Sequence, residues 1–191
     1  DGDTKYEVIL DKYFKYNQSI YKNIHDLKEE INDSNDLERL SKKIQSIEKE
    51  ITIFHANAVN EICKDSKTKI DFVGFHGQTI FHNAREKISK QMGDGRLLSQ
   101  LTKKTVIYDF RQNDIKNGGQ GAPLAPIFHN ALANKVNKEF NLKFPINILN
   151  IGGIANITTT VDEKDLCYAN KIYAYDIGPG NCMIDEWIRN N

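Results

Sequence analysis

The chain has 191 residues, with 26 basic and 26 acidic side chains that cancel to a formal net charge of zero, and 39% of it is hydrophobic. That is enough apolar material for one sizeable core, or a core with an appendage, while a neutral chain carries no electrostatic footprint for nucleic acid or an anionic membrane. No apolar run approaches the roughly 20 residues of a membrane span, and DGDTKYEVIL has neither the basic start nor the apolar core of a signal peptide.

Cys63, Cys167 and Cys182 are widely spaced and form no CxxC pair. Neither a disulfide framework nor a zinc site is suggested, and a reducing cytoplasm is the natural compartment. Of the basic residues only five are arginines, Arg39, Arg85, Arg96, Arg111 and Arg189. An arginine inside a polar, glycine-rich stretch therefore stands out, and Arg111 is one.

In chain order, Tyr6–Leu10 reads as a short strand. From Ser19, read as an N-cap, Ile20, Ile24, Leu27 and Ile31 recur at helical spacing. The cluster Asn32-Asp33-Ser34-Asn35 predicts a turn and a second N-cap. Leu37, Leu40, Ile44, Ile47, Ile51, Phe54, Ala58 and Ile62 then predict one long amphipathic helix over 34–62. It reads as a helix packed on a sheet in preference to an autonomous coiled-coil strand. His25 and His55 read as surface or interface residues of these helices.

The second half changes character, because short apolar runs now end in polar, glycine-rich segments. Ile70–Phe75 leads to His76-Gly77-Gln78-Thr79, Thr105–Phe110 to Arg111, Ile146–Ile151 to Gly152-Gly153, and Ile172–Tyr175 to Asp176. Such runs are the pattern of an α/β sheet, in which ligands lie at the carboxyl ends of the strands. Pro123 and Pro126 punctuate a loop. The chain stops at 187–191, in what reads as the start of a helix after Asp176-Ile177-Gly178-Pro179-Gly180-Asn181.

Four places could carry chemistry. Asp176, read at a strand end before Gly178-Pro179-Gly180, could be a general base; the plainer reading is a turn aspartate satisfying amides of its own turn. Arg111 could give paired hydrogen bonds to a carboxylate or to sugar oxygens, or simply pair with Asp109 or Asp114. Gln120, in the segment Gly118-Gly119-Gln120-Gly121, could meet hydroxyls as the backbone approaches a ligand. His76, Gln78 and His82 offer two ring nitrogens without a third ligand nearby, which favours a sugar-binding or loop-fixing role over zinc. Gly93-Asp94-Gly95 reads as a turn, and Gly152-Gly153 as a tight hairpin. Neither a P-loop nor a dinucleotide fingerprint is present.

Taken together, HGQT (76–79), Gly93-Asp94, DFRQNDI (109–115), GGQGAPLAP (118–126), NIGGIANIT (150–158) and YDIGPGN with Asp185 and Trp187 resemble, in order and spacing, the anhydro-N-acetylmuramic acid kinase family. The resemblance implies an actin-like, ribonuclease-H-like ATPase fold, an α/β architecture with a mixed sheet and flanking helices, here incomplete. It implies that residues 1–191 are part of the first, sugar-binding domain of a two-domain kinase, with a helical segment 19–64, a motif-rich α/β part 70–191, and the second domain absent. It implies ATP and Mg²⁺ as cofactors, and 1,6-anhydro-N-acetylmuramate as the sugar opened and phosphorylated in peptidoglycan recycling. Carried over by residue, Asp176 is the base, with His76, Gln78, Arg111, Gln120 and Gly121 in the sugar site. No metal ligand and no nucleotide-binding residue is assigned.

The family's N-terminal Gly-Thr-Ser-x-Asp-Gly phosphate hairpin has no counterpart here, since Asp1-Gly2 is too short a trace. The expectation is a cytoplasmic chain inactive alone, whose partners are the anhydro sugar and a separate chain supplying the second domain, with a homodimer left open and neither nucleic acid nor membrane bound. The alternatives are a non-catalytic sugar-binding or decayed product, and an interaction protein using the long helix.

Overall fold

The computed structural model describes residues 6–161 and 172–191, so Asp1-Gly2 and Cys167 lie outside the described residues. The chain divides into two compact units. One is Ile9–Ala122; the other is Pro123–Asn191 with the residues through Val8.

In the Ile9–Ala122 unit, α1 (Gln18–Glu30) is capped by Asn17, not Ser19. The Asn17 side-chain oxygen accepts the Ile20 N–H at 2.8 Å, and Ser19 turns its own hydroxyl to the same oxygen. The single long helix expected over 34–62 is divided at Leu40 into α2 (Asn35–Arg39) and α3 (Ser41–Asp65). Asp36 accounts for the division locally. Its carboxylate accepts the Asn32 N–H at 2.8 Å and pairs with Arg39, closing the turn and the short helix on themselves.

Ile20, Ile24 and Leu27 of α1 pack with Ile44, Ile47 and Ile51 of α3 on Ile80 and Met92 of a β-hairpin. The long helix is thus a packing helix on a sheet. Each such side chain contributes about 1.5–3 kcal/mol by leaving water.

That hairpin is β2 (Gln78–Asn83) against β3 (Ile88–Met92), antiparallel, and in chain order it falls between the two strands of a parallel pair. These are β1 (Phe72–Phe75) and β4 (Thr105–Tyr108), in register Phe72↔Thr105 through Phe75↔Tyr108. A parallel pair needs a long crossover, here the β2–β3 hairpin and α4 (Gly95–Thr102). The sequence DFRQNDI, whose Phe110 falls in the preceding apolar run, is mostly the short helix α5 (Phe110–Lys116). Strands β2 and β3 escape a hydrophobicity reading because, of their apolar residues, only Ile80 and Met92 are buried.

In the other unit, Pro126 does not sit in a loop but at the first turn of α6 (Pro126–Phe140). Its missing N–H costs nothing there and its fixed φ suits the helix. An antiparallel meander follows, β5 (Ile146–Ile151), β6 (Ile154–Thr160) and β7 (Tyr173–Pro179), in the order β5-β6-β7. Ala131 and Ala133 of α6 are buried, as are Thr158 and Thr160 of β6, and His129 meets the Thr158 hydroxyl at 2.8 Å. The helix expected after Asn181 is α7 (Cys182–Asn190), although the Asn181 side chain makes no capping bond.

Tyr6–Leu10 forms no strand: a strand exists through its ladder, and Val8, Ile9 and Leu10 are exposed. The architecture is mixed α/β, with small sheets and packed helices.

Candidate functional site

Because β1 and β4 are parallel, both carboxyl ends reach one edge, which carries Phe75 and Tyr108 as register partners and then His76 and Asp109. The segment Gly93-Asp94-Gly95 makes this edge packable. A Cβ on Gly93, whose φ is +136°, would lie 2.4 Å from the Phe75 ring, and one on Gly95 would lie 2.2 Å from the Tyr108 ring. Between them Asp94 caps α4, accepting the N–H groups of Arg96 and Leu97 at 2.9 and 3.0 Å. Helix α3 holds the segment from the other side, through Gly93 N–H to Glu48 and Asp94 N–H to the Thr52 hydroxyl. What reads as a turn in the sequence is a junction of two strands and two helices.

Arg111 is half-buried and faces inward, not towards Asp109 or Asp114. One terminal nitrogen donates to the Gly121 carbonyl at 2.7 Å, and the other to His76 Nε2 at 3.1 Å. Guanidinium can only donate, so His76 Nε2 is the acceptor and its Nδ1–H donates to the Gly77 carbonyl at 3.0 Å. Asp114 completes the clasp by accepting the Gly121 N–H at 2.7 Å. Gly121 is required: its φ is +72°, and a Cβ would stand 2.7 Å from Ile115. Arg111 Nε is buried without a partner, and burial draws the Arg111 pKa below its ordinary value. Gln120 is exposed beside the clasp.

Gln78 is held differently. It opens β2 and donates through Nε2 to the Tyr16 hydroxyl at 3.2 Å. That hydroxyl lies 3.5 Å from His55 Nε2, and His55 Nδ1 lies 2.9 Å from the Ile51 carbonyl. The carbonyl accepts only, so Nδ1 carries the proton, Nε2 accepts from Tyr16, and the Tyr16 oxygen accepts from Gln78. The chain of bonds orients the Gln78 amide. Burial pulls the His55 pKa down, in keeping with a neutral ring, and raises that of Tyr16. Of the two readings, surface or interface, His55 takes the second: half-buried, it packs against Tyr16, Phe54 and Phe75. Its sequence signal is its place one turn after Ile51 on the apolar stripe of α3. His82 meets the buried Ser89 hydroxyl at 2.9 Å, so the two histidines of the motif serve different partners.

At the β1–β4 edge lies a cavity of about 490 Å³, with His76, Tyr108, Asp109 and Gln112 in its wall. Asp109 has left-handed φ and ψ of 59° and 44°, and burial, only partly offset by Lys116 and Lys90, raises its pKa. Sequence reasoning reads Asp109 only as a possible partner of Arg111 and Gln112 only as part of DFRQNDI; the signal it leaves unused is their position just past the carboxyl end of β4.

Asp176 belongs to the other unit. It is the middle residue of β7, opposite Asn156 of β6, because the ladder runs on through a bulge to Gly178 and Pro179. The expected strand-end position is therefore corrected to mid-strand. The carboxylate is exposed and makes no hydrogen bond or ion pair among the described residues. The turn amides find other partners: Gly180 N–H donates to the Gly153 carbonyl and Asn181 N–H to that of Gly152. The start of α7 is so strapped to the β5–β6 hairpin, and Asp176 is left free of a turn-stabilising task.

Among the described residues one grouping of three candidate metal ligands occurs, His25, Asp26 and Glu29 on α1. No helix among the described residues is long and apolar enough to cross a membrane.

Residues 3–191 match the family described as anhydro-N-acetylmuramic acid kinase. The protein of that name from Pelagibacter ubique (strain HTCC1062) is 54% identical over 191 residues, which is 100% of this chain and 49% of the relative. The one from Brucella canis is 42% identical over 148 residues, covering 76% of this chain and 38% of the relative. That of Rhizobium etli is 40% identical over 149 residues, again 76% and 38%. The chain thus spans about half the length of the first of these relatives and less of the others.

Proposed function

Since this chain belongs to the anhydro-N-acetylmuramic acid kinase family, we propose that it supplies the sugar-binding and base-bearing part of a kinase that opens the 1,6-anhydro ring of anhydro-N-acetylmuramate and phosphorylates the freed 6-hydroxyl. The observation that carries the reading is Asp176, a carboxylate on an ordered strand, open to solvent and committed to no internal partner. As a general base it takes a proton from water. The water oxygen bonds to the anomeric carbon, the bridging C–O bond breaks, and its electron pair goes to the sugar oxygen. An anion at this position also steadies positive charge developing at that carbon.

His76, Arg111 and Gly121 act here as a clasp that shapes the sugar site, with Gln120 on its exposed side and Gln78 oriented by Tyr16. The actin-like fold and the role in peptidoglycan recycling in the cytoplasm belong to the same proposal.

A kinase family implies ATP and a divalent ion, but the glycine-rich loops described here fit a triphosphate poorly. The amides of Gly118, Gly119 and Gly121 donate to Ile115 and Asp114, and those of Gly180 and Asn181 donate to the hairpin carbonyls. Phosphoryl transfer needs fixed donors aimed at the phosphates, and these are spent. No step through ATP or Mg²⁺ is assigned to these residues.

The test joins this chain to the remaining half of the Pelagibacter relative and follows phosphorylation of the anhydro sugar with ATP and Mg²⁺. The joined protein is expected to turn over, and the chain alone to bind sugar without turnover. Asp176→Asn should cost ~10²–10⁴-fold in rate with sugar binding retained; turnover at the parent rate would remove Asp176 from the role of base.

A further inference from the structure

We propose that His55, acting through Tyr16, sets the hydrogen-bonding sense of Gln78, so that the amide oxygen of Gln78 and not its nitrogen faces the ligand. Tyr16 and His55 are then positioning residues, and Gln78 reads a ligand hydroxyl or amide N–H as an acceptor. The proposal deepens, and rests on, the reading of Gln78 as a residue of the sugar site.

A glutamine amide carries a donor and an acceptor on one flat group, and its terminal torsion is broad and roughly two-fold. Left alone, Gln78 could offer either end to a ligand. Its backbone is fixed, because it opens β2 opposite the fully buried Met92. Its side chain is fixed by the 3.2 Å bond to the Tyr16 hydroxyl. A hydroxyl both donates and accepts, so Tyr16 by itself could hold either end of the amide.

His55 removes that freedom. The Ile51 carbonyl, 2.9 Å away, can only accept, and so keeps the ring proton on Nδ1. Nε2 is left with a lone pair 3.5 Å from the Tyr16 oxygen, and the Tyr16 proton turns to it. What Tyr16 presents to Gln78 is then a lone pair, which only the amide nitrogen can meet. The ring of His55 faces Tyr16, Phe54 and Phe75, and burial among them favours the neutral form that this sense requires.

The consequence appears at the other end of the amide. Gln78 Oε1 makes no hydrogen bond among the described residues, yet it is not a buried atom, so it stands open to an incoming donor. Tyr16 reaches this place from the stretch before α1, which forms neither helix nor strand. That stretch is tied to α3 by the Tyr16 ring, 4.6 Å from that of Phe54, and by Lys12, which pairs with Asp65 at 2.9 Å.

The test uses the whole 191-residue chain. In its heteronuclear NMR spectrum one side-chain amide proton of Gln78, assigned by its loss in Gln78→Ala, is expected to exchange with water more slowly than those of exposed glutamines, before any sugar is present. Tyr16→Phe keeps the ring that packs on Phe54 and removes only the hydroxyl. It should release that proton at an unchanged melting temperature, and His55→Phe should release it too. Calorimetry with 1,6-anhydro-N-acetylmuramate gives the second measurement. Each of these two variants should weaken binding by about 2- to 10-fold, as befits one neutral hydrogen bond. Neither should cost anything further once Gln78 is alanine, since residues that act through Gln78 are not additive with it.

An amide proton slowed only when sugar is bound would put the nitrogen on the ligand and overturn the proposal. Losses that add in full to that of Gln78→Ala would overturn it as well, by making Tyr16 and His55 structural. If Gln78→Ala weakens binding and Tyr16→Phe does not, the sugar site stands and the control by His55 is refuted. If Gln78→Ala binds as the parent does, or the parent binds no sugar, the sugar-site reading of Gln78 falls and this proposal with it.

Discussion

Arg111 shows how much one side chain can be asked to hold. Its planar fork reaches the Gly121 carbonyl and His76 Nε2 at once, and so ties the glycine-rich segment to the end of β1. Lysine keeps the charge but not the fork. Arg111→Lys is expected to free the Gly121 loop, seen as faster amide exchange at 118–122, and to weaken sugar binding with little change in melting temperature. Unaltered exchange and affinity would show that the clasp is not what orders this loop.

His55 makes a second prediction through pH. Burial lowers its pKa in the folded chain below the ordinary value of 6.5. Below that value the unfolded chain takes up a proton that the folded one resists, so stability falls as pH drops from about neutral through the window beneath 6.5. His129 is shifted in the same direction. His55→Phe should flatten, without abolishing, the slope of unfolding free energy against pH over that range, and urea titrations at several pH values measure it. An unchanged slope would mean that His55 is protonated in the folded chain as readily as in the unfolded one.

Among the elements, α3 links the helical core to the motif-bearing strands. Ile51 is fully buried in the core that α3 shares with α1 and the β2–β3 hairpin, while Glu48, one turn before it, and the adjacent Thr52 hold Gly93 and Asp94. Ile51→Ala should cost about 2–5 kcal/mol, from lost transfer and an unfilled cavity. Asp94→Ala, which removes the cap of α4, should cost only about 0.5–2 kcal/mol. Urea unfolding of the two variants tests the order, and a larger loss at Asp94 would make the strand–helix junction, not the helical core, the main source of stability.

Element type was most legible where periodicity was strong and turn chemistry marked the ends. Strand β5 runs over the expected Ile146–Ile151 and turns at Gly152-Gly153. The hairpin β2–β3 was not legible, since strands that bury little apolar surface carry no alternation to read.

On the scale of the whole molecule, apolar side chains crowd the surface of the β5–β7 unit. Tyr175 and Ile177 of β7 are exposed, as are Met183, Ile184, Trp187 and Ile188 of α7. Exposed apolar side chains in such number mark a contact region or an aggregation hazard. The chain is expected to bind a hydrophobic reporter dye and to self-associate weakly as concentration rises. Trp187, the only tryptophan, should report the association by a blue shift of its emission. Ile184→Ser with Trp187→Ser should reduce dye binding and keep the chain monomeric in sedimentation velocity. Dye binding equal to that of the parent would place the sticky surface elsewhere.

The sequence by itself determined the helical character of the first half (though not the division at Leu40), the change to short strands in the second, and the motif set that carries the family resemblance. All of these rest on local order: spacing along a helix, an apolar run, a glycine where the chain must turn. Only the tertiary structure decided which motif residues meet. It put Arg111 on His76 and Gly121 and not on a neighbouring aspartate, sent Gln78 to Tyr16, drew His55 inside, and carried β7 past Asp176 to Pro179. Those outcomes depend on partners up to 62 positions away in the chain, and a pattern read over a dozen residues holds no information about contacts at that separation.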